Sequence, residues 1–190
     1  MEHVIRFQPG KIHPQKFALW VGMAGIAMMF AALTSAYVVK QSAGNWLEFS
    51  FPNHFYFSTI SIVLSSFALH KSFVDYKTGN ESGYKWFLFI GFILGSAFVV
   101  LQYFGWTALY AMGVDLKGNA SGGFFYLITG LHVIHVLGGI AALIVTMLNA
   151  FSLKYKVTEK RKLRFDLVVN YWHFVDILWV YLFIFLLVIK

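Results

Sequence analysis

Five stretches of this chain are apolar for long enough to cross a bilayer, and that limits the fold before any other feature is weighed. A crossing helix needs about 20 mostly apolar residues. Residues 17–39 carry no charge and are bracketed by Lys16 and Lys40. Residues 55–69 extend to 74 if His70 and Lys71 snorkel toward the headgroups. Residues 86–112 are uncharged, and 122–153 are uncharged apart from His132 and His135, whose state is open. Residues 165–189 hold Asp166 at their start and Asp176 near their middle. A backbone in lipid must satisfy its own polar groups, so runs of this kind form helices. The fold class expected is an all-α integral membrane protein, a bundle of five transmembrane helices forming one membrane domain over 1–190. The connecting loops are short and leave no room for a soluble domain. The first run is longer than a signal-peptide core and no clear small-residue cleavage site ends it, so it reads as a retained helix.

Composition agrees where the argument needs it. Apolar residues make up 59% and charged residues 12%, against roughly 45–50% and 25% in soluble domains. That argues against a cytosolic enzyme, a disordered chain and a nucleic-acid-binding module, despite a net charge of +7. With no cysteine, disulfides, thiolate metal sites, iron–sulfur clusters and c-type haem attachment are excluded in this chain.

The basic residues give an orientation instead. Arg6, Lys11 and Lys16 precede the first run; Lys71, Lys77 and Lys85 flank the second loop. Lys154, Lys156, Lys160, Arg161, Lys162 and Arg164 fill the fourth. Only Lys40, Lys117 and Lys190 fall on the other side. Positive residues stay in the cytoplasm, so the N-terminus is expected there and the C-terminus in the periplasm. The tract 154–164 reads as a cytoplasmic loop, with contact to anionic headgroups. Trp46, Trp86 and Trp106 fall near the interfaces, as aromatic belts do.

Two small-residue pairs, Gly91 with Gly95 and Ser61 with Ser65, let helix backbones approach closely. They speak for packing and not for chemistry. Asn119-Ala120-Ser121 matches a glycosylation sequon, expected by chance at this frequency.

Ionisable residues at depth need an account, because each is costly in lipid. His132 lies ten residues into the fourth run, about 15 Å deep by helical rise. His135 follows on the same face. His173 reaches a similar depth from the opposite side, with Asp176 beside it and Asp166 seven residues earlier. His132, His135, His173 and Asp176 are thus expected to form a polar seam between the fourth and fifth helices. Three readings compete for it. One is structural hydrogen bonding, which offsets a charged Asp at a helix centre costing about 2.5–3.5 kcal/mol. A second is ligation of a b-type haem or copper by imidazole. A third is proton movement along a His/Asp chain, with Asp166 as its only hint of a path. His3, His13, His54 and His70 sit near termini, loops or helix ends and read as solvated or interfacial. Trp172 and Trp179, seven apart, share a face and read as packing or lipid contacts. No nucleophile–base pair and no phosphate-cradling glycine loop occurs, so no active site is expected in this chain.

The fifth run also carries a resemblance. Tyr171-Trp172-His173-Phe174-Val175-Asp176-Ile177-Leu178-Trp179 resembles the YWHFVDxxW signature of haem–copper oxidase subunit III. Thr129-Gly130-Leu131-His132-Val133-Ile134-His135-Val136-Leu137-Gly138 resembles that family's TGxHxxHVxxG, with Gly122, Gly123 and Phe124 at the start of the helix. Weaker similarities lie at Met28 to Leu33 with Tyr37, at Ser58-Thr59 with Leu64-Ser65-Ser66, and at Phe98 to Gln102. All five runs are touched, in the family's order. Two departures stand out. Ile26 and Gly105 occupy positions where the family carries a Glu, which puts carboxylate proton chemistry on those helices in doubt. Asp166 stands where a family Glu would, a conservative change.

The resemblance implies the short, five-helix bacterial form; longer members have seven helices in a V with phospholipid in the cleft. Another chain would supply the missing two, or the cleft would stay open to lipid. It implies no cofactor in this chain, with haem and copper in partner subunits I and II, subunit I the main contact, and bound phospholipid. It implies an accessory role in a respiratory oxygen reductase of the cytochrome c oxidase type: stabilising the catalytic subunit, guiding oxygen through lipid and sustaining proton uptake. The expected location is a bacterial cytoplasmic membrane. The alternatives are a membrane b-type cytochrome using these histidines, and a subunit-III-like protein of a quinol oxidase or nitric oxide reductase.

Overall fold

The computed structural model describes residues 13–44 and 46–189; His3, Arg6, Lys11 and Lys190, which entered the readings above, lie outside them. Five helices and no strand occur among the described residues: α1 Pro14–Ser42, α2 Asn53–Thr78, α3 Glu81–Ala111, α4 Ala120–Ser152 and α5 Glu159–Val188. Each is long and apolar enough to cross a membrane. At 26 to 33 residues they span about 39–50 Å by helical rise, so their ends stand clear of a hydrocarbon layer about 30 Å thick.

The boundaries follow from local chemistry. The side chains of Asn80, Asn119 and Thr158 accept from Gly83, Ser121 and Arg161 backbone N–H at 3.1, 2.9 and 3.3 Å. Each supplies one of the acceptors that a helix start lacks. Asn119, first residue of the sequon, is thus the cap of α4. Pro14 opens α1, where a missing N–H costs nothing. Gly79 ends α2 at φ 85°, a left-handed turn that a residue with a Cβ adopts only under strain.

Interhelix contacts fix the directions. Ser61 Oγ donates to Leu94 O at 2.8 Å, Ser65 Oγ to Gly91 O at 2.7 Å and Ser72 Oγ to Tyr84 O at 2.8 Å. Residue numbers fall on α3 as they rise on α2, so the two are antiparallel and packed along their length. The two small-residue pairs noted in the sequence therefore meet each other. By the same test α4 runs against both α3 and α5. Thr34 meets Tyr181 at 3.2 Å and Tyr37 donates to Ile189 O at 3.1 Å, so α1 and α5 run parallel.

Helices α2, α3, α4 and α5 each touch the next and α5 returns to α2, closing a four-helix ring. Outside it, α1 packs only on α4 and α5. Each end of the ring is sealed by aromatics. At one end, Phe51 and Phe55 pack on Phe125 with ring centroids 5.5 and 5.3 Å away. At the other, Tyr76, Tyr84 and Phe165 meet, with Tyr155 of the α4–α5 connection at 5.8 Å from Tyr76. Burial, with the Glu81 charge second, pushes the Tyr155 phenol above its ordinary value, so it serves as a neutral donor, to Tyr76 O at 2.8 Å. This second end also carries Lys16, Lys77, Lys85 and the basic tract 154–164, of which 159–164 belong to α5 and not to the loop expected from sequence.

Candidate functional site

The polar groups at depth sit on α4 and α5, and the helix pitch decides which neighbour each one meets. On α5, Trp172 and Trp179 centre on one direction, while His173 and Asp176 centre on another about 80° around the axis. The first points into the ring, toward α3 and α4 with Trp179 also reaching α2, and the second points to α2.

The tryptophans face the ring interior. Trp172 is 2% exposed and its indole lies between two helices that offer only backbone there. A Cβ on Gly95 of α3 would fall 2.5 Å from its ring, and one on Gly139 of α4 would fall 3.0 Å away. Trp179 is fully buried. Its indole N–H donates to Thr59 Oγ1 of α2 at 2.9 Å, and its ring meets Phe98 of α3 at 5.1 Å.

His173 and Asp176 face α2. His173 Nδ1 is 2.5 Å from Ser66 Oγ, and the Asp176 carboxylate adjoins the same hydroxyl. The His70 ring of α2 lies 5.7 Å from that of His173. Asp176 Oδ1 and His173 Nε2 are buried without a hydrogen-bond partner.

The histidines of α4 belong elsewhere. His132 is fully buried and neither ring nitrogen has a hydrogen-bond partner. Phe30 of α1, Phe98 of α3 and Trp179 of α5 surround it at 6.3, 5.8 and 5.0 Å. His135 Nδ1–H donates to Leu131 O at 2.7 Å, the carbonyl one turn back on its own helix. Its ring meets Phe30 at 5.7 Å.

The four residues expected to form one seam between α4 and α5 therefore fall into two groups. His132 and His135 lie in an aromatic setting shared with α1, α3 and Trp179. His173 and Asp176 turn to α2. Spacing along a helix does not fix its neighbours; rotation about the α5 axis separates them. What joins α4 to α5 directly is Tyr171 Oη, which donates to His135 O at 3.0 Å, together with the His132–Trp179 contact and the Trp172 ring against Gly139. Asp166 lies elsewhere again, in an ion pair with Lys16 at the start of α1. Ser66 and His70 are the partners that sequence reading missed. Their signal was present: they stand four apart on α2 and so share a face.

Haem ligation can be tested against these residues. A bis-histidine haem needs two free imidazoles facing a slot wide enough for a flat macrocycle. His132 is walled by three aromatic rings, and His135 turns one nitrogen into its own helix. Among the described residues no three His, Cys, Asp or Glu side chains come together as a metal set. His132 and His135 do not fit such a group.

The two departures noted in the sequence have distinct settings. A Cβ on Gly105 would lie 2.7 Å from the Phe55 ring, so that ring occupies the room a Glu would need. Ile26 is partly buried and packs against the core. Nearby, Gln102 is fully buried and its amide donates to Ser58 Oγ at 3.0 Å, tying α3 to α2.

Comparison with known proteins places this arrangement. Residues 52–189 match the family described as cytochrome c oxidase subunit III. A "probable cytochrome c oxidase subunit 3" of Nocardia farcinica is 31% identical over 166 residues, covering 82% of this chain and 78% of that protein. One of the same description from Mycobacterium tuberculosis is 31% identical over 168 residues, covering 86% and 82%. The cytochrome c oxidase subunit 3 of Rattus norvegicus is 32% identical over 106 residues, covering 56% of this chain and 39% of its own length. The match takes in all of α2 to α5, the closed ring that holds both polar groups, and the chain belongs to the cytochrome c oxidase subunit III family.

Proposed function

We propose that this chain is the non-redox third subunit of a haem–copper oxygen reductase. It is an accessory subunit of cytochrome c oxidase and a multi-pass membrane protein. In our reading its basic end faces the cytoplasm of a bacterium and its C-terminus the periplasm. The five helices act as one membrane domain that docks chiefly on catalytic subunit I, with the copper-bearing subunit II in the same complex. The family match across the whole ring carries this reading.

The site geometry supports a non-catalytic role. Several deep polar side chains hold helices together: Ser66 with His173, Thr59 with Trp179, Ser58 with Gln102. The unfilled Glu positions at Ile26 and Gly105 favour support of the catalytic subunit over carboxylate proton transfer on α1 and α3. The outward face of α2 carries Phe57, Ile60, Leu64 and Phe67, exposed by 50–70%. A stripe of that kind suits acyl chains or another transmembrane helix, in keeping with bound phospholipid and with oxygen reaching the catalytic subunit through lipid.

The test is a mild-detergent capture of the tagged full chain from its own membrane, with partners identified by mass spectrometry. Recovery with a haem–copper subunit and a copper-bearing partner is expected. Recovery of the chain alone, carrying its own haem, would overturn the reading and make a b-type cytochrome of it.

A further inference from the structure

Two basic cavities open side by side at the Lys-rich end of the bundle, and they differ in one respect. The first, about 270 Å³, is lined by Lys16, Lys77 and Lys162 but also by Glu159 and Asp166. Lys16 pairs with Asp166, and Lys162 with Glu159 at 3.7 Å. Its charge is largely cancelled from within. The second, about 110 Å³, is lined by Lys154, Lys156, Arg161 and Arg164 and holds no carboxylate. Among the described residues none of these four cations has an acidic partner within ion-pair distance.

The second cavity is built rather than incidental. Arg161 Nη1 donates to Lys154 O at 3.0 Å, and Tyr76 Oη donates to Lys156 O at 3.1 Å. The connection bearing two of the cations is thus fastened to α5 and to α2. Tyr84 and Phe165 line its wall and are nearly fully buried. An apolar wall lowers the local dielectric and strengthens the attraction of the cations for an anion. Asn149 and Thr146 of α4 add polar atoms to the lining.

We propose that this cavity binds a phosphate oxyanion, the group shared by anionic phospholipid headgroups and by free phosphate. Arginine and lysine are the side chains suited to it, through forked and point-charge contacts. Basic pockets between membrane helices at their cytoplasmic ends are known to take headgroups. The lipid source is favoured by what lies alongside. Leu153 of the cavity lining is itself 45% exposed and offers apolar surface at the rim, where an acyl chain would lie. The inference is independent of which oxidase the chain serves.

The test uses the full chain isolated with its partners, stripped by repeated detergent exchange and then exposed to vesicles of equal parts phosphatidylcholine and phosphatidylglycerol. Retained lipid is counted by native mass spectrometry. The wild type is expected to hold phosphatidylglycerol that the double variant Lys156→Gln/Arg164→Gln has lost, with roughly tenfold or greater weakening. Lys156→Arg/Arg164→Lys, which keeps both charges, retains it. So does Lys162→Gln, which touches only the neutralised cavity. Displacement by millimolar inorganic phosphate assigns the site to a soluble oxyanion; resistance to it assigns a lipid headgroup. Equal retention of the two lipids by the wild type, with phosphate binding unchanged in the double variant, would overturn the proposal.

Discussion

Helix α5 shows two opposite ways of burying polar atoms in a membrane bundle. On its tryptophan face the polar atoms are few and the packing is close: Trp172 fills a space that Gly95 and Gly139 leave open, and Trp179 makes one hydrogen bond. On the face turned to α2 the packing matters less than polar contact, with Ser66 serving His173 and adjoining Asp176. Lipid provides no hydrophobic drive between helices, so association rests on close packing and on hydrogen bonds. The comparison teaches that α5 uses one of these on each side, and substitutions can separate them.

The largest effect is expected on the tryptophan face. Trp172→Ala removes the ring between two glycine backbones and should cost about 3–5 kcal/mol, read as a lower thermal midpoint and a loss of assembled complex. Gly139→Leu attacks the same contact from α4 by overpacking, at about 1–3 kcal/mol. Gly22→Leu on α1, where nothing lies within 4 Å of the place a Cβ would take, should leave the midpoint unchanged. A Trp172→Ala chain as stable as the wild type would show that the ring does not depend on this face.

The polar face comes next. Asp176→Ala strips one side of the Ser66 cluster and should cost about 1–3 kcal/mol. Asp176→Asn, which keeps shape and an acceptor, should recover most of that. The loss should appear as weaker association of the complex, with turnover per haem preserved in complexes that survive. Turnover collapsing while assembly stays intact would sink the structural role and restore a proton-transfer role for this carboxylate.

The difference between the two faces was only half legible in the sequence. The five helices could be read because apolar length alone specifies a crossing helix, and the basic asymmetry predicted alternating directions that the contacts reproduce. Gly91 with Gly95 and Ser61 with Ser65 could be read as close-packing pairs; that they pack on each other depends on the register of α2 against α3, which no single helix encodes. The order of the deep residues along each helix could be read, since rise per residue is fixed. Their partners could not, because the rotation of α5 is set by what surrounds it, above all by the Trp172 ring seating on two glycines. Of the anion cavity only the charge was legible: Lys154 to Arg164 reads as a loop that touches anionic headgroups, and only the fold brings Tyr84 and Phe165 beneath it and diverts the nearby acids to other lysines.

A smaller effect should follow from Thr59→Val, which removes the acceptor of the Trp179 indole N–H and keeps the shape of the side chain. Interhelical hydrogen bonds in membranes average about 0.6 kcal/mol, so a slight fall in thermal midpoint is expected. It should be well below that of Trp172→Ala. A loss as large as the packing variant's would mean that hydrogen bonding, and not ring packing, holds this face.

The smallest effect is expected where sequence alone gave the strongest suggestion of chemistry. His132 has no hydrogen-bond partner at either nitrogen and aromatic rings on three sides. Replacing a buried polar group by an apolar one of similar shape, when no partner is orphaned, is close to neutral. His132→Phe should therefore leave assembly, thermal midpoint and the haem absorbance of the isolated complex where they were. A haem ligand would behave in the opposite way: the absorbance would fall in step with the lost imidazole. Because His132 sits against Trp179, the same variant also asks whether the tryptophan face tolerates a purely apolar neighbour, and an unchanged midpoint would assign that face to packing alone.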